Sequence, residues 1–207
     1  MKTAIALLAL ATAVPAAEIV RRDLQLALGT APTDFTYAIA SPGGSFSGTD
    51  AFDVAVEARL GARWALIAPG WSIAPVFGGD LQYRSATYAS GGGLSATGAA
   101  ATAGVAYALN DRWSSDLELA VSYELASLNL SSGSGLAGSG SLVSTALRLR
   151  TLRQLNRTWS VGVEMGWERG SGSFAADRSR DVTIDLDGWT GGLIAVWRTS
   201  MRPADLE

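Results

Sequence analysis

Residues 51–66 read AFDVAVEARLGARWAL. The even positions, Phe52, Val54, Val56, Ala58, Leu60, Ala62, Trp64 and Leu66, are all apolar. The odd positions, Ala51, Asp53, Ala55, Glu57, Arg59, Gly61, Arg63 and Ala65, are all charged or small. Successive side chains of an extended chain point to opposite faces, so a period of two held this long predicts a β-strand with one apolar and one polar face. The same alternation sets Leu24, Leu26 and Leu28 against Asp23, Gln25 and Ala27. It also sets Leu117, Leu119, Val121, Tyr123 and Leu125 against Asp116, Glu118, Ala120, Ser122 and Glu124, and Trp159, Val161, Val163, Met165 and Trp167 against Ser160, Gly162, Glu164, Gly166 and Glu168.

Weaker alternation adds strands at about 71–88, 99–109, 142–152 and 181–197, giving eight. Pro75 is awkward inside the first of these, because it cannot donate to a ladder. In the last, Val182, Ile184 and Leu186 alternate with Asp181, Thr183, Asp185 and Asp187. The pattern slips near Gly188, where a bulge is expected, and Leu193, Ala195 and Trp197 then resume the apolar face.

Three Trp-Ser pairs, Trp71-Ser72, Trp113-Ser114 and Trp159-Ser160, each follow a tight-turn signal and open a strand. Ala68-Pro69-Gly70, Leu109-Asn110-Asp111-Arg112 and Leu155-Asn156-Arg157-Thr158 supply the turn residues. The repeat fits a strand up, an outer connection, a strand down and a short turn. Longer connections are expected at 29–50, 89–98, 127–141 and 169–180. The Gly/Ser run at 132–141 reads as a loop tip, since no Lys and helix follow it as a phosphate-binding loop requires.

Composition removes several classes of function. The 207 residues suit one domain. Residues 1–17 carry Lys2, an apolar run and small residues before a cleavage point, the layout of an export signal, and the run is too short to cross a bilayer as a helix. Residues 18–198 would then form the folded domain and 199–207 a short tail. Without Lys2 the chain has 15 Arg against 19 Asp plus Glu, a formal charge of −4, which is no footprint for nucleic acid. Histidine and cysteine are both absent, removing the usual general base, the commonest metal ligand and every disulfide. No cofactor or metal is expected; Asp181, Asp185 and Asp187 have the i, i+2 spacing of ordinary strand positions rather than a ligand set.

Which face is inside decides between a membrane barrel, a soluble lipocalin-like barrel and a β-sandwich. The polar face is rich in Gly, Ala and Ser, which suits a narrow lumen better than a roomy exterior. The expectation is therefore an all-β, eight-stranded antiparallel up-and-down transmembrane β-barrel with its apolar face on lipid. Trp64, Trp71, Trp113, Trp159 and Trp197 would form an aromatic girdle at the interface nearest the short turns; a single Trp reads first as a packed core residue of a soluble sheet, and it is the repetition at one corner that favours the girdle. The lumen would hold an ion-pair network of Asp53, Glu57, Arg59, Arg84, Glu118, Arg148, Arg150 and Glu164. Glu118, Arg150 and Glu164 would form one row within it.

With its Leu-Asn-Asp-Arg-Trp-Ser and Leu-Asn-Arg-Thr-Trp-Ser corners, the chain resembles the small eight-stranded outer-membrane barrels of Gram-negative bacteria, the group of the OmpA membrane domain, OmpX and opacity-type adhesins. The resemblance implies a monomer inserted among outer-membrane lipids by the barrel-assembly machinery, with its turns in the periplasm. Lipid deacylase and omptin-type protease barrels resemble it in architecture but use histidine. The functional expectation is a non-enzymatic, envelope-structural protein whose surface loops are free for interaction or adhesion, with no partner identified. The alternatives are a narrow cation-preferring channel and a secreted soluble ligand-binding barrel.

Overall fold

The computed structural model describes residues 18–67, 72–89, 91–130, 136–176 and 180–199. Residues 1–17, expected to be an export signal, the Ala68-Pro69-Gly70 turn signal with Trp71, and most of the tail lie outside them. Ten antiparallel strands follow one another: β1 (Glu18–Thr30), β2 (Asp34–Ser41), β3 (Gly44–Ala51), β4 (Val54–Ile67), β5 (Ile73–Thr87), β6 (Gly93–Asn110), β7 (Trp113–Leu130), β8 (Leu136–Gln154), β9 (Trp159–Ala176) and β10 (Arg180–Arg198). Neighbours in sequence pair from β4 through β10, and β1 pairs both β4 and the lower half of β10. That last ladder, from Asp23 opposite Arg198 to Thr30 opposite Gly191, closes an eight-stranded barrel and leaves its wall without an edge.

The two further strands come from the connection expected at 29–50. They form a hairpin, and β2 continues the β1 path by pairing with the upper half of β10, from Asp181 opposite Ala40 to Leu186 opposite Phe35. The other long connections also contract into strand. β7, β8 and β9 run on to Leu130, Leu136 and Ala176, so what reads as loop is barrel wall standing above the belt described below.

The short turns are built as the Trp-Ser corners suggest, through a device carried by asparagine. Asn110 Oδ1 accepts from the backbone N–H of Arg112 and Trp113 at 3.0 and 3.1 Å; Asn156 Oδ1 accepts from those of Thr158 and Trp159 at 2.8 Å each. Each side chain satisfies two N–H groups that the turn leaves without a ladder partner. At the opposite end, the β5–β6 turn takes φ of 89° at Gly91 and 87° at Gly92, a region that side chains avoid. Pro75 sits within β5 opposite Val105 of β6, one residue beyond the end of the ladder to β4 at Val76.

Alternation then sorts the side chains. Leu26, Leu60, Leu81, Leu119, Val121, Leu147, Val163 and Leu193 are among the apolar residues exposed on the outer wall, while Glu57, Arg84, Glu118, Arg150 and Glu168 are buried in the lumen. An apolar belt this continuous around a closed sheet is the surface of a barrel that spans a bilayer, where every backbone polar group must be satisfied within the wall.

Three expectations are corrected here. The β10 register runs unbroken from Arg180 opposite Ala176 to Trp197 opposite Trp159, so there is no bulge at Gly188. Val182, Ile184 and Leu186 point inward at 1 % exposure or less, and Asp181, Asp185 and Asp187 point outward. The alternation never slips; the chemistry on each face changes instead. Phe52 and Asp53 are likewise exchanged, because they form the bend between β3 and β4, outside any strand. Phe52 is buried, and Asp53 is an exposed rim residue whose carboxylate accepts from the Ala89 backbone N–H. Asp53 is therefore not part of a lumen network.

Candidate functional site

Among the described residues, buried ionisable side chains concentrate in the lumen. Eight carboxylates (Asp23, Glu57, Asp80, Asp116, Glu118, Glu124, Glu164 and Glu168) and five guanidiniums (Arg59, Arg63, Arg84, Arg148 and Arg150) are buried among the described residues. The inward positions of β1, β4, β5, β7, β8 and β9 bring them together, and glycines make the room. Gly61 faces the Asp80 carboxylate so closely that an added Cβ would overlap it and the Gly79 carbonyl.

Arg63 is the most fully engaged cation. It donates to both oxygens of Asp80 at 2.8 and 3.0 Å, to both oxygens of Glu118 at 3.1–3.2 Å, and to the carbonyls of Ala62 and Gly79. Gln25 bridges the same layer, donating to Asp80 at 3.0 Å and accepting from Arg150 at 2.6 Å. Arg150 pairs directly with Glu118 and stands 3.6 Å from Asp116. A second layer lies above. Arg84 donates to Glu168 at 2.5 Å and Glu57 at 3.1 Å, with Glu124 at 3.6 Å, and Arg59 pairs with Glu57 at 2.5 Å and with Glu164. Arg148 links the layers, 3.7 Å from Glu57 and 3.6 Å from Asp80.

The residues Glu57, Arg59, Arg84, Glu118, Arg148, Arg150 and Glu164 thus all face the lumen in contact with one another. The row is assembled differently from the expectation. Glu164 is opposite Arg150 in the β8–β9 ladder, yet it reaches across the lumen to Arg59 on β4. Arg63, Asp80, Glu124 and Glu168 complete the network; their parity already places them on the polar face, but their partners come from strands far away in sequence.

Apolar clusters flank the charged zone towards either end. Towards the outer end Phe35, Phe52, Leu94, Leu142, Phe174 and Ile184 belong to one buried cluster, with Phe35 stacked on Phe52 at 4.6 Å between centroids. Tyr88 packs against Phe52 at 5.0 Å, and burial, followed by the charge of Asp50, holds its phenol well above the usual tyrosine range. Towards the other end stand Ala27, Leu152, Ile194 and Val196, and a second group of Ala65, Val76 and Ala106. The recess between Asp23, Gln25, Arg63, Asp116 and Arg150 measures about 10 Å³, at the lower limit for a single water. No group of His, Cys, Asp or Glu among the described residues has the arrangement of a metal site.

Aromatic side chains mark both borders of the outer belt. At the end with the Asn turns, Trp64 stacks on Phe77 at 5.9 Å, Trp159 on Trp197 at 6.2 Å, and Trp113 stands beside Arg153. At the opposite border Trp167 and Trp189 meet edge to face at 5.1 Å, with Tyr83 and Tyr123 also exposed. This second border is visible in the sequence only as the end of apolar alternation.

Together these features define the small eight-stranded β-barrel of the outer-membrane type, with a filled interior. No protein-family profile matches the chain, and no curated protein matches it in sequence. Solved structures similar to it include the attachment invasion locus protein Ail of Yersinia pestis, at 13% identity and a TM-score of 0.44, covering 87% of this chain and 99% of that one. The outer-membrane protein OprG of Pseudomonas aeruginosa is similar at 13% identity and a TM-score of 0.49, covering 91% and 100% of the two chains. Neisserial surface protein A is similar at 13% identity and a TM-score of 0.42, covering 87% and 97%.

Proposed function

We propose that this chain is a non-enzymatic, non-conducting outer-membrane barrel that contributes to the envelope and offers its outer end for contacts or adhesion. The observation that carries the reading is the lumen filled by buried, mutually paired charges. An ion crossing it would have to break salt bridges already desolvated, so a cation path is disfavoured despite the excess of carboxylates. A soluble ligand-binding barrel is disfavoured by the distribution of side chains, because the apolar residues of the belt face outward and paired charges occupy the interior behind them.

The outer end supports a role in contacts. The β2–β3 hairpin rises there with Phe46 63% exposed, and among the described residues β3 pairs with β2 alone. Planar-bilayer recording tests the filled lumen: the purified barrel is expected to give no resolved single-channel steps, and stable unitary conductance would overturn the reading. Fractionation with the outer membrane, together with heat-dependent gel mobility, tests the location.

A further inference from the structure

Near the end of the barrel with the Asn turns, the outer wall carries an apolar groove of about 610 Å³, lined by Leu26, Leu28, Val161, Val163, Leu193 and Ala195. Its rim is positively charged. Arg153 borders the groove, its guanidinium carbon 5.9 Å from the centroid of the Trp113 ring. Trp113 and Arg153 are ladder partners, and Arg112 lines an adjoining recess that shares Trp113 with the groove. Both arginines are exposed, and among the described residues neither has a carboxylate partner. The five lumen arginines all have one.

We propose that this groove binds one anionic glycerophospholipid, an acyl chain lying along the apolar floor and the phosphate held by Arg153 with Arg112 beside it. Three physical facts converge on that ligand. Trp113 belongs to the interfacial aromatic level, where lipid head groups lie. A guanidinium matches phosphate through paired donors, and stacking over a ring leaves its in-plane N–H groups free. The apolar floor alone would accept any lipid, whereas two uncompensated arginines favour a negative head group. The proposal rests on the barrel crossing a bilayer and not on what its outer end contacts.

The test is lipid retention by the refolded full chain in detergent, measured by native mass spectrometry with phosphatidylglycerol or phosphatidylcholine of matched acyl chains. The wild type is expected to retain phosphatidylglycerol roughly tenfold better. Arg112→Gln or Arg153→Gln should each weaken that binding about fivefold, and the pair about twenty-fivefold. Arg169→Gln, at the opposite end, should leave it unchanged. Ala195→Trp, filling the groove, should lower retention of both lipids. Equal retention of the two lipids by the wild type overturns the proposal, as does undiminished phosphatidylglycerol binding by the double variant or by Ala195→Trp. Heat-dependent mobility establishes that each variant has folded. Fractionation away from the outer membrane would sink the functional reading while leaving the lipid result standing.

Discussion

The belt and the collar above it are made by the same strands with opposite chemistry. On β9, Val163, Met165 and Trp167 face outward over an interior of Glu164 and Glu168; a few residues on, Ser171 and Ser173 face outward over Phe174. On β10 the collar shows Asp185 and Asp187 outside and Ile184 and Leu186 inside, whereas Leu193 and Trp197 are exposed in the belt. The strand geometry is continuous across the change, so the solvent outside decides it. Hydrocarbon requires an apolar exterior and leaves polar groups to pair within, while water permits an ordinary apolar core. Trp167 and Trp189 stand at the border between the two regimes.

The largest effect should come from the belt's interior. Arg63→Met leaves Asp80 and Glu118 without their shared donor, and urea titration of the barrel in lipid vesicles should show a loss of about 3–5 kcal/mol. A loss under 1 kcal/mol would mean that the remaining arginines redistribute and that the network is not specific. On the belt's exterior, Val121→Arg should cost about 2–4 kcal/mol at mid-membrane depth. The matched change Ala120→Arg should act by crowding the lumen, so comparing the two variants in bilayers of different thickness separates a lipid cost, which depends on depth, from a packing cost, which does not.

A smaller effect is expected from Gly61→Ala. Its methyl group collides with Asp80, which Arg63 and Gln25 hold in place, and the same titration should register about 1–3 kcal/mol. The smallest is Ser171→Arg on the collar, within about 0.5 kcal/mol, since that face meets water. A penalty comparable to that of Val121→Arg would move the membrane border upward and erase the distinction between the regions.

Much of this was legible from parity. Arg59, Glu118, Arg148, Arg150 and Glu164 can be assigned to the polar face from their neighbours alone. The Asn-x-x-Trp corners announce turns whose side-chain caps the structure displays. Asp53 was misplaced because parity holds only inside a strand, and two residues of bend reverse it. Asp185 and Asp187 were misplaced because parity separates two faces without naming which is inside. The β2–β3 hairpin was hidden because Gly44, Gly48 and the intervening serines carry almost no apolar alternation.

By itself, the sequence determined the eight strands of the barrel wall, their two faces, the short turns and the absence of histidine and cysteine chemistry, because these depend on side-chain identity and near-neighbour spacing. Tertiary structure alone decided that Glu164 pairs with Arg59, 105 residues away, rather than with its ladder neighbour Arg150. It also decided that the lumen is filled by charges paired across the barrel and that the collar inverts. Those outcomes depend on closure of the sheet and on its depth in the bilayer, and neither is encoded in any local stretch of chain.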